Sequence, residues 1–168
     1  RVVFEFGSDA SNTYFMDLGS AKTFTDEFFT SIVVKPTTNS NSFGVLLNAS
    51  GSAQNRVRIL QNGTSHIRID GTAYEETSAW TINSNTLYSI ERGGDDNVKQ
   101  YLNRSLDSTD SDSDSWPVVF RVGGNQAAPP ATTHRLVGQV SEMLFWNSDE
   151  SSNRAGIEAD INSYFSIY

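Results

Sequence analysis

Four aspartates crowd one short stretch of the chain: Asp107, Asp110, Asp112 and Asp114 alternate with Ser and Thr just before Trp116 and Pro117. Carboxylates at that density could gather around Ca²⁺, which takes about six to eight oxygen ligands. The spacing is not that of an EF-hand, since the Gly and the terminal Glu are missing, and so polar a segment has little reason to order itself without an ion. A second group is basic. If Arg56 to Leu60 and Ser65 to Asp70 pair as a hairpin, Val57, Ile59, Ile67 and Ile69 belong to one face and Arg56, Arg58, His66 and Arg68 to the other. That assignment needs an odd-length loop, which Gln61-Asn62-Gly63 supplies. Like charges opposed across a hairpin cost stability unless a carboxylate such as Asp70 or an outside anion offsets them. A third group is aromatic: Tyr74, Trp80 and Trp116 fall in or beside expected loops, where an exposed ring could stack on a ligand, Trp80 foremost, although such rings more often pack in a core.

Covalent chemistry finds no footing. Glycoside hydrolysis needs two carboxylates held a fixed distance apart, and adjacent Glu75 and Glu76 would point to opposite sides of a strand. The two histidines, His66 and His134, lie in no nucleophile-elbow or zinc-binding pattern.

These residues must be positioned by strands. Short apolar runs bounded by Gly, Asn, Asp, Ser or Pro occur at Val2 to Phe6, Tyr14 to Leu18, Phe28 to Lys35, Phe43 to Leu47, Arg56 to Leu60, Ser65 to Asp70, Leu87 to Arg92, Val98 to Leu102, Val118 to Val122 and Gln139 to Trp146. Strands this closely spaced leave no room for helical crossovers and favour two packed antiparallel sheets. Leu87 to Leu102 reads as a hairpin turning through Gly93-Gly94-Asp95-Asp96, and Leu106 to Ser115 as a loop. One helix is expected near the C-terminus. Ile157, Ile161, Tyr164 and Phe165 share a helical face, Ser151 or Ser152 can cap it, and Glu150 sits where the helix dipole favours an acid.

Composition agrees. The 168 residues are 37% hydrophobic and 19% charged, enough for one core spanning 1–168. Twelve Lys and Arg against twenty Asp and Glu give a net charge of -8, which opposes nucleic-acid binding. There is no cysteine to form a disulfide or a thiolate metal site, and no apolar run approaches the roughly 20 residues of a membrane span.

The segment Gly138-Gln139-Val140-Ser141-Glu142-Met143-Leu144-Phe145-Trp146-Asn147, followed by Ile157-Glu158-Ala159-Asp160-Ile161-Asn162-Ser163-Tyr164-Phe165, resembles the closing strand and helix of concanavalin A-like, laminin G-like domains. Phe29 to Pro36, Tyr88 to Arg92, Val98 to Asn103 and Phe120 to Gly124 resemble earlier strands of that family, with Arg104 replacing the usual turn glycine. The resemblance implies an all-β, antiparallel jelly-roll β-sandwich with one short C-terminal helix. It further implies a glycan-binding or adhesion module of an extracellular, cell-surface or virion protein such as a phage tail, with Ca²⁺ sometimes bound by its loops. An assembly domain contacting neighbouring protein chains, oligomeric through its parent protein, is the alternative. Hydrolases of the superfamily carry a Glu-x-Asp-x-x-Glu run on one strand. Here the nearest match, Glu158-Ala159-Asp160, is followed by Ser163 at the required position and lies on the expected helix, so a hydrolase is the remote reading.

Overall fold

The structure is a computed structural model that describes residues 4–6, 16–23, 27–37, 44–49, 56–59, 65–69, 72–75, 80–111, 118–122 and 136–168, with side chains described at 27–37, 80–111, 122 and 136–168. The run of aromatic and β-branched residues at β3 (Phe28–Pro36) organises one sheet, being buried along its whole length except at Lys35. Around it lie β1 (Phe4–Phe6), β8 (Thr86–Arg92), β9 (Asn97–Leu102), β10 (Ser105–Ser111) and β12 (Gly138–Trp146), in the order β1-β12-β3-β8-β9-β10. The second sheet runs β2-β11-β4-β5-β6-β7, built from β2 (Met16–Thr23), β4 (Gly44–Ala49), β5 (Arg56–Ile59), β6 (Ser65–Ile69), β7 (Thr72–Glu75) and β11 (Val118–Val122). All pairings are antiparallel, and the fold is an antiparallel β-sandwich with one short C-terminal helix.

Both faces of β3 and β8 are covered, for different reasons. On one face Val33 and Leu87, which are register partners, pack with Ile161 and Phe165 of α1 (Arg154–Phe165), flanked by Leu144, Ile157 and Ile167. The alternate residues Ile32, Val34, Tyr88 and Ile90 are equally buried on the opposite face. Ser31 and Ser89, also register partners, satisfy each other through a 3.1 Å hydroxyl contact. Gly138 opens β12 where a Cβ would overlap the Lys35 carbonyl oxygen, so only glycine lets the two backbones approach there.

Four expectations are corrected. The polar stretch from Leu106 is not a loop: Ser105–Ser111 is β10, because the edge of β9 offers a full ladder of backbone partners that outweighs poor strand propensity. Thr72–Glu75 forms a further strand, β7, carrying Tyr74. The helix begins after Asn153, with no side-chain cap from Ser151 or Ser152; instead the Glu150 carbonyl accepts from the Asn153 and Arg154 backbone N–H groups. Its buried stripe is Glu158, Ile161 and Phe165, while Tyr164 is 67% exposed with its ring against Phe165.

Candidate functional site

The β4–β7 meander places basic residues by register alone. Arg56 stands opposite Arg68 and Arg58 opposite His66, so all four occupy one face of the sheet, and Val57 opposite Ile67 takes the other. The pairing extends outward on both sides. Asn48 faces Arg56 and Val45 faces Arg58 from β4, while Ala73 faces Arg68 and Glu75 faces His66 from β7. Glu75 thus joins the basic set, a position legible only once Thr72–Glu75 is known to be a strand. Tyr74 faces Ile67 and belongs to the opposite face, so it is not brought together with the arginines. Asp70 lies outside the described residues.

Trp80 is at the other sheet. Only 5% exposed, its ring meets Tyr88 edge to face at 5.3 Å, and Tyr88 in turn donates a 2.6 Å hydrogen bond to Gln100 Oε1. The reading of Trp80 as an exposed stacking platform is corrected: the indole buries most of its area and reaches ligand space only as part of the lining of a cavity of about 470 Å³ beside the β9–β10 turn. Trp116 lies outside the described residues.

The two described aspartates of the acidic stretch are not in a loop. Asp107 and Asp110 are on β10; Asp107 is the extra residue of a bulge between Leu106 and Ser108, and Asp110 pairs with Val98. Burial pushes the Asp110 carboxyl above its ordinary value, and a hydrogen bond with Ser108 only partly offsets it. Asp112 and Asp114 lie outside the described residues, among which no group of three or more potential metal ligands occurs.

The structure does assemble a carboxylate pair that the sequence hides. Glu91, 2% exposed, takes Lys99 Nζ at 3.2 Å and Arg154 Nε at 3.6 Å, and the same guanidinium bonds Glu158, which is wholly buried. Arg154 also lies 3.9 Å above the Tyr101 ring. Burial raises the Glu158 carboxyl above its usual range against the pull of Ser89 and Arg154. Burial also works against the charge of Lys99, but Glu91 outweighs it and the lysine pKa is raised. Closed over by α1 and paired with cations, the two carboxylates fasten the helix to the sheet. Asp160, the other carboxylate of the Glu158-Ala159-Asp160 match, is exposed on the far side of the helix.

No protein-family model matches the chain, and neither does any curated protein sequence. Solved structures do. The native heptameric SAP-like pentraxin from Limulus polyphemus superposes with a TM-score of 0.68 at 12% identity, over 88% of this chain and 76% of that one. The Ruminococcus gnavus IT-sialidase CBM40 bound to alpha2,3 sialyllactose gives 0.62 at 14% identity, over 91% and 95% of the two chains. The chain has their fold. NanB sialidase from Streptococcus pneumoniae contains the same sandwich, with a TM-score of 0.64 at 13% identity; 91% of this chain matches only 26% of that one. These likenesses agree with the expected antiparallel β-sandwich at the level of fold.

Proposed function

We propose that the chain is a non-catalytic carbohydrate-binding module whose β4–β7 face takes an acidic glycan, and that it serves as one domain of a larger extracellular, cell-surface or virion protein. One observation carries this reading: the register sets Arg56 against Arg68 and Arg58 against His66, with Glu75 the only acidic residue paired into the group among the described residues. Opposed cations weaken a sheet unless an anion lies between them. Guanidinium groups bind a carboxylate in paired, directional hydrogen bonds. The register puts the apolar Val57, Ile59 and Ile67 on the other face, so the basic residues form a face of their own. The solved complex of the similar Ruminococcus gnavus module with sialyllactose, a sugar bearing a carboxylate, supports the ligand class.

The deciding experiment is a glycan array probed with the chain, with and without chelator, followed by titration of the best ligand into Arg58→Ala. Binding to acidic glycans that drops about tenfold in the variant supports the reading. Indifference to chelator would remove Ca²⁺, and with it Asp107, Asp110, Asp112 and Asp114, from the site. No acidic glycan bound by a folded chain would sink it. In that case the exposed Leu106, Tyr164 and Tyr168 favour the second reading, a domain that assembles with neighbouring protein chains.

A further inference from the structure

We infer a second binding site, for a neutral saccharide unit, in the cavity at the end of the β8–β9–β10 edge. The cavity measures about 470 Å³, within the range of small-ligand sites. Its lining is of two kinds. Trp80, Leu102 and Ile167 supply apolar surface from three separate segments, and Asn103, Ser105 and Asp107 supply hydrogen-bonding groups from the β9–β10 turn and the bulge that follows it. Apolar surface beside a few convergent polar groups suits a pyranose, whose C–H faces are apolar and whose rim of hydroxyls both donates and accepts. Among the described residues no Lys, Arg or His lines the cavity, and Asp107 is the one charged residue of that lining. An anionic sugar is therefore disfavoured here, the opposite preference to that of the basic face, on which this inference does not rest.

The lining is held in place before any ligand arrives. Asn103 accepts from the Leu87 backbone N–H through Oδ1 at 2.9 Å and donates its own N–H to the Leu87 carbonyl at 2.9 Å. Trp80 is braced by Tyr88, and Tyr88 by Gln100. Two turns bordering the cavity hold non-glycine residues at positive φ: Asn83 at 63°, Asn103 at 47° and Arg104 at 72°. Asn83 is pinned there by its N–H on the Pro36 carbonyl at 2.8 Å. Backbone strain gathered around one concavity, with fixed polar groups, marks a preorganised site.

The test is an amide-resonance titration of the chain with galactose, N-acetylglucosamine and lactose, each to millimolar concentration, beside a parallel titration with sialyllactose. At least one neutral sugar is expected to give saturable shifts at the Trp80 indole N–H and the Asn103 and Asp107 amides, leaving Arg58 and His66 unmoved. Asp107→Asn should weaken that binding about tenfold, the loss of one charge-assisted hydrogen bond. Ser105→Tyr, which fills the cavity, should abolish it. Neutral sugars that move none of these resonances, or move only those of β5 and β6, would overturn the inference. Because sialyllactose reports on the basic face separately, either site can fail without the other.

Discussion

Glu158 shows how one side chain can set the pH response of the whole. Its carboxyl is raised above the ordinary 4.5 by desolvation, so folding favours the protonated form relative to the unfolded chain. The stability it contributes is complete below the unfolded value and is lost as pH rises through the higher folded value. Asp95 and Glu150 are lowered by hydrogen bonds from their neighbours, chiefly Asn97 and Asn153, and act in the opposite sense. Comparing wild type with Glu158→Gln isolates the first effect. The melting temperature of wild type relative to the variant should fall as pH rises above 4.5, measured by calorimetry at matched ionic strength; a constant difference would refute it. At Arg104 the expected glycine is missing, yet the two-residue turn survives with both central residues at positive φ, as a type I′ turn requires. Arg104→Gly should therefore stabilise the chain by about 1 kcal/mol, read from urea unfolding.

Among the elements, the helix is the clearest case of stability borrowed from packing. Twelve residues long, with no side-chain cap, no acidic residue in its first turn and no basic one in its last, α1 has little support of its own. It is held by Ile161 and Phe165 against Val33 and Leu87, and by the Arg154 bridge between Glu91 and Glu158. Phe165→Ala should cost about 3–5 kcal/mol in chemical denaturation, and Tyr164→Ala less than about 0.5 kcal/mol. Equal effects would mean that the contact of the Tyr164 ring with Phe165 is worth as much as burial in the core. β10 teaches the complementary lesson. The Asp, Ser and Thr residues of 107–111 look unstructured by composition, but an available strand edge turned them into part of the sixth strand of its sheet.

At the scale of the whole molecule, a chain of net charge -8 sets three arginines and a histidine on one patch of sheet. On the proposed reading the overall field repels an anionic ligand while the basic face attracts it, so the attraction must act at close range. Raising salt from low to physiological ionic strength should then weaken sialyllactose binding by only about two- to threefold in calorimetric titration, a modest loss because the contact is short. A far steeper loss would indicate long-range attraction instead.

By itself the sequence determined what is local: ten of the strands, the hairpin turning at 93–96, the closing helix and the shared face of Arg56, Arg58, His66 and Arg68. Those follow from period-two alternation, turn chemistry and loop parity, each a property of neighbouring residues. Only the tertiary structure decided the rest. Trp80 could not be assigned to cavity or surface without Tyr88 beside it; Glu91 and Glu158 stand far apart in the chain until α1 docks; Asp107 becomes part of a cavity lining only through a bulge. Burial and pairing across long separations depend on which surfaces meet, and patterns confined to a few neighbouring residues carry too little information to specify that meeting.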